Sequence, residues 1–151
     1  ELSLARAAEG ASLSKIVGAQ LAAMESLRRR AGESAALRPE AAKARFEAQV
    51  AALLEAGAPL AEERLAQELA ILAVKTDIRE ELDRLGTHIA AAKALVCEGG
   101  AIGRKLDFLA QELNREANTL CAKSSDAQLS DIGLELKAVI DQFREQVQNI
   151  E

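Results

Sequence analysis

Apolar residues recur every three or four positions along most of the chain, the spacing that lines one face of an α-helix. Leu13, Ile16, Val17, Leu21, Met24 and Leu27 predict one long helix over about 3–30. Arg28, Arg29 and Arg30 close it, as cations suit a helix C-terminus. After a break at Ala31-Gly32-Glu33-Ser34, Pro39 fits the first turn of a second helix, where its missing N–H is harmless. Phe46, Val50 and Leu53 are its expected buried face, and Gly57-Ala58-Pro59 ends it. A third helix is expected over about 60–74 and a fourth over 78–97, with Asp77 as N-cap and Glu80 completing a capping box. Lys75-Thr76 is a weak break, so one kinked helix is the alternative there. Ile78, Leu82, Leu85, Ile89, Ala92 and Val96 give the fourth helix a coiled-coil-like seam. Gly99-Gly100 is a firm stop before a fifth helix over about 101–121. Asp126 is the expected N-cap of a sixth, over about 127–149, whose apolar positions are Leu129, Ile132, Leu136, Val139, Phe143, Val147 and Ile150.

These patterns predict an all-α chain, an elongated antiparallel helical bundle or arm of about six helices. Composition agrees. Hydrophobic residues make up 49% of the 151 residues, mostly Ala and Leu, and aromatic residues only 2%. Sheets favour the β-branched and aromatic residues that are scarce here. Small side chains make thin cores, so further association of the helices is expected. Residues 1–60 read as a helical linker or arm that follows an absent N-terminal domain, and 61–151 as a C-terminal helical domain.

Charge and cysteine usage narrow the function. The net charge of −5 excludes a global basic footprint for nucleic acid, so any anion site must be local. Cys97, Cys121 and the lone His88 cannot complete a zinc set. A reduced, cytoplasmic setting is the simple reading of two unpatterned cysteines. No apolar run approaches a membrane span.

The fifth helix carries the most distinctive pattern. Ile102, Leu106, Leu109, Leu113, Ala117 and Leu120 form one apolar stripe. The opposite stripe is Arg104, Asp107, Phe108, Gln111, Asn114, Arg115 and Asn118. Asn and Asp are poor helix formers, so a role other than helix propensity is expected for this face. With Lys105 slightly off-axis, its cations and amides can grip phosphates and bases, or form a polar layer between helices or subunits. Phe108 can stack on a base or anchor an interface. Glu112 and Glu116 are i,i+4 neighbours on one flank and can hold a hard cation such as Mg²⁺ or Mn²⁺ if another segment or RNA completes the shell. Equally, Glu112 can pair with Arg115 and Glu116 can be solvated. Asp107 points about 180° from Glu116, so the two cannot share one ion. On the fourth helix Glu81, Arg84 and His88 follow one edge of the seam. His88 is a candidate general acid or base; the alternative is a packed histidine bonded to Glu81 or a neighbouring helix.

Several strings resemble the C-terminal domain of the YicC/YloC family of bacterial endoribonucleases. They are Arg64-Leu65-Ala66-Gln67-Glu68, Lys75 through Leu85 with His88, Gly103 through Asn118, and Glu135 through Glu151. The likeness is specific over about 62–151 and loose before it. Gly86 and Cys121 depart from the pattern, and a glycine within a helix costs about 1 kcal/mol relative to Ala. The resemblance implies a bacterial cytoplasmic two-domain protein whose N-terminal domain is absent here. It further implies metal-dependent endonuclease action on RNA within a homo-oligomer, a hexamer. A structural or oligomerisation arm and a non-catalytic RNA-binding module are the alternatives. Site residues are nominated from their chemistry: His88, Asp107, Glu112 and Glu116 for catalysis, and Glu112 with Glu116 for the divalent ion (Mn or Mg). Arg104, Lys105, Phe108, Gln111, Asn114, Arg115 and Asn118 are nominated for RNA.

Overall fold

A computed structural model describes residues 2–34, 39–57, 62–124 and 126–150. Six helices follow in order: α1 (Leu2–Gly32), α2 (Pro39–Glu55), α3 (Glu62–Thr76), α4 (Arg79–Glu98), α5 (Gly103–Lys123) and α6 (Ala127–Gln148). No strand occurs among the described residues. The all-α reading therefore holds, and every expected helix is present.

α1, α4, α5 and α6 form a four-helix bundle in which α1 packs on α4 and α6, and α5 packs on α4 and α6. The neighbours run antiparallel: Arg84–Glu116 and Glu81–Lys123 fix α4 against α5, Asp107–Arg144 and Gly103–Ile150 fix α5 against α6, and Arg28–Gly86 and Gly32–Leu82 fix α1 against α4. The apolar seams meet inside. Val17, Leu21, Met24 and Leu27 of α1 are buried with Leu82, Leu85 and Ile89 of α4. Leu106, Leu113 and Leu120 of α5 join Leu129, Leu136, Ile140 and Phe143 of α6 in the same core. At roughly 1.5–3 kcal/mol per buried large apolar side chain, this core is the main source of stability. Because α1 contributes a full side of the bundle, the packing does not divide at residue 60.

α2 and α3 pack on each other. Of the expected α2 face, Phe46 and Val50 are only half-buried, and Leu53 lies outside the residues whose side chains are described. The reason is a lack of partners: a single facing helix covers less of an apolar stripe than a bundle does. Leu54, Leu69 and Ile71 are exposed on this pair.

Chain breaks follow local chemistry. α3 and α4 are separate helices, not one kinked helix. Asp77 does not form the expected N-cap; Ile78 occupies that position without a side-chain bond. The Asp77 carboxylate instead accepts the backbone N–H of Arg79 at 3.0 Å, and Glu80 faces Arg84. Gly99 and Gly100 both have positive φ, a backbone open mainly to glycine, and so turn the chain between α4 and α5. Asp126 caps α6, accepting the N–H of Leu129 at 2.8 Å.

Candidate functional site

α5 has one buried face, apolar but for Glu116 at its edge, and one polar exposed face. Ile102, Leu106, Leu109, Leu113, Ala117 and Leu120 are all buried. On the other side Arg104, Gln111, Arg115 and Asn118 are exposed, while Asp107 and Asn114 are half-buried toward α6. Phe108 stands among them with 59% of its surface open to solvent. The seven nominated RNA residues, Lys105 included, thus lie on or beside one accessible surface.

Asp107 stands apart from the other two acidic nominees. Asp107 leans toward α6, where Arg144 Nε lies 3.4 Å from one carboxylate oxygen and Gln111 donates to the other at 3.0 Å. Glu112 and Glu116 lie on the opposite flank, beside α4. Glu116 is only 5% exposed, and its carboxylate meets Arg84 Nε at 2.9 Å. This contact holds the Arg84 guanidinium even more firmly protonated than usual. Glu112 is partly open and has a loose partner in Arg115 at 3.7 Å.

Glu81 does not bond His88. It is 2% exposed, and its Oε1 accepts from Lys123 Nζ at 2.7 Å and sits 3.5 Å from Arg84. Lys123 also donates to the Asp77 carbonyl at 3.2 Å. Arg84 and Lys123 therefore stitch α4 to α5 through two buried carboxylates. His88 follows one turn beyond Arg84, and the antiparallel register sets it level with Glu112. Its Nε2 is buried without a hydrogen-bond partner, as is the second oxygen of Glu81. Unpaired buried polar atoms are costly and rare in folded proteins.

This chemistry tests the expected metal pair. Among the described residues, no three His, Cys, Asp or Glu side chains are grouped to hold an ion. Arg84 holds one oxygen of Glu116, which leaves the other as the atom open to a cation. Glu112 and Glu116 are thus not joined by a third such ligand of this chain among the described residues.

Residues 31–151 match the family described as Endoribonuclease YicC-like, C-terminal. The chain belongs to this family. It is 51% identical over 89 residues to a probable endoribonuclease YicC of Haemophilus influenzae, covering 59% of this chain and 31% of that protein. A probable endoribonuclease YicC of Clostridioides difficile is 45% identical over 103 residues, covering 68% of this chain and 35% of the relative. The chain thus spans about a third of the length of these relatives. No helix among the described residues is long and apolar enough to cross a membrane.

Sequence reading missed three side chains that organise this family domain. Lys123 neutralises Glu81 and Arg144 neutralises Asp107, each from a distant part of the chain. Arg28 lies over Gly86: a Cβ built there would meet its guanidinium at 3.1 Å. The departure at Gly86 is therefore a slot for Arg28, which also pairs with Glu25 at 2.6 Å.

Proposed function

We propose that this chain is the C-terminal helical part of an endoribonuclease that cleaves RNA phosphodiester bonds within a cytoplasmic homo-oligomer, a hexamer. The exposed face of α5 carries the RNA. The observation that supports this is the exposure of cations, amides and one aromatic ring on the same helix face, backed by membership of an endoribonuclease-like family. Amides and arginines supply directed donors to phosphate oxygens and base edges. His88 and Glu112 are the residues assigned to proton transfer, because one has an unpartnered ring nitrogen and the other a loosely held carboxylate. Glu116 and Glu81 position the α4–α5 seam, and Asp107 orders the RNA face through Arg144 and Gln111. A manganese or magnesium cofactor stays in the proposal, with Glu112 and Glu116 completed by ligands from another segment or from RNA.

The test is cleavage of end-labelled RNA by the full-length protein, with Mn²⁺ and with a chelator. Glu112→Gln and His88→Ala should each slow cleavage by about 100-fold or more, the usual scale for loss of a general acid or base. RNA affinity measured in the chelator should persist. Wild-type rates in both variants would remove the assignment to this seam.

A second reading concerns assembly. Exposed Leu54, Leu69 and Ile71 on the α2–α3 pair support its use as an oligomerisation arm. Sedimentation of charged variants at these three positions would show smaller assemblies on this reading and unchanged ones otherwise.

A further inference from the structure

Beside Phe108 lies an open hollow of about 400 Å³, lined by Leu95 of α4 and by Arg104, Lys105, Phe108 and Leu109 of α5. We propose that this hollow is a nucleotide subsite: one unpaired base of the RNA lies on the Phe108 ring, and the flanking phosphates meet Arg104 and Lys105. The proposal rests on the RNA reading above and gives that reading a specific place and chemistry.

Three features carry it. First, Phe108 is the exception on its helix. The large aliphatic side chains of α5 are buried, whereas this ring is mostly exposed. An exposed aromatic ring offers a flat π-face on which a nucleobase can stack. Second, Arg104 and Lys105 are the α5 cations without a carboxylate partner among the described residues. Arg115 and Lys123 are paired with Glu112 and Glu81. Uncommitted cations keep their full attraction for phosphate. Third, no acidic side chain lines the hollow. Asp107 is turned to the α6 side and held by Arg144. In a chain of net charge −5 this leaves two uncommitted cations beside an apolar hollow, free of a neighbouring carboxylate that would repel phosphate.

The shape argues for a base over a second protein chain. The floor is one ring with two leucines, too small an apolar area for a stable interface between copies. The lining offers no hydrogen-bonding group beyond the two cations, so the subsite holds a base without reading its identity. Glu112 follows Phe108 by four residues, about 6 Å along the helix axis. A strand bound at Phe108 and continuing along α5 would therefore reach the level of Glu112 and His88.

The experiment uses the full-length protein in a chelator and a fluorescent short oligouridylate, with binding read by anisotropy. Phe108→Ala should weaken affinity about 5- to 150-fold, the range for loss of one stacked base. Phe108→Trp should restore it, and the salt dependence should not change. Arg104→Ala with Lys105→Ala should instead flatten the logarithmic salt slope by about 1.4, the value for two phosphate contacts on a single strand. An oligonucleotide made abasic throughout should bind wild type and Phe108→Ala alike.

Wild-type affinity in Phe108→Ala would overturn the subsite. So would a changed sedimentation coefficient with unchanged RNA affinity, which assigns the ring to an interface between copies. If Phe108→Ala binds normally while the wild type cuts RNA with Mn²⁺, only the subsite fails. If the wild type neither binds nor cuts RNA, the endoribonuclease reading fails with it.

Discussion

Lys123→Met tests whether the carboxylates beside α4 are structural. Lys123 Nζ sits 2.7 Å from Glu81, whose side chain is 98% removed from solvent. Methionine keeps the length and apolar stem of lysine but removes the ammonium. Glu81 is then left with Arg84 alone, at 3.5 Å. Removing one partner of a buried pair costs about 3–5 kcal/mol. Lys123 is about a quarter exposed and Arg84 remains, so the lower end, about 3 kcal/mol, is expected here. For a domain of this size each kcal/mol lowers Tm by about 2–4 °C, which gives a drop of roughly 6–12 °C. Urea unfolding should show a lower midpoint with an unchanged slope. Adding Glu81→Met should return most of the loss, because replacing both ions with apolar groups is often neutral. A midpoint within about 0.5 kcal/mol of wild type, or no recovery in the double variant, would refute the reasoning.

Two further outcomes follow from the same structure. Gly86→Ala removes a helix penalty of about 1 kcal/mol, and the neighbour that must yield is the flexible tip of Arg28, so a gain of up to about 1 kcal/mol is expected; a clear loss in urea unfolding would make the Arg28 slot essential. Hydrogen bonding from Arg28 lowers the Glu25 carboxyl below its ordinary 4.5, and Arg79 does the same for Asp77 from 3.8. A depressed carboxyl stabilises the fold above its unfolded pKa, and that contribution is lost as pH falls through the folded one. Urea midpoints should therefore fall between about pH 5 and pH 3, and Glu25→Gln should flatten that fall.

Much of the bundle was legible in the sequence because helix faces are set locally. Three-and-four spacing located α4, α5 and α6 and nearly all their buried positions. Asp126 was readable as a cap because a cap bonds within three residues. The partners of charged residues were not readable in this way. Glu116 reads equally as solvated or as a ligand until α4 brings Arg84 across. Asp107 looks like a candidate acid until α6 supplies Arg144. The same holds for α1: its pattern shows a helix but not that the helix closes one side of a bundle. On α5 the polar face stood out because its residues run against helix propensity.

Gly103 opens α5, and a Cβ built on it would come within 2.7 Å of the Ile150 carbonyl oxygen. Any larger residue must lever the segment after α6 away from the start of α5. That displacement would travel straight to Arg104 and Lys105, the next two residues. A genetic screen for lost activity would then return Gly103 alongside them, although it has no side chain to offer a substrate. The three would look like a single cluster of hits with two unrelated origins. A melting curve would sort them: Gly103→Ala should unfold early, whereas Lys105→Ala should unfold like wild type.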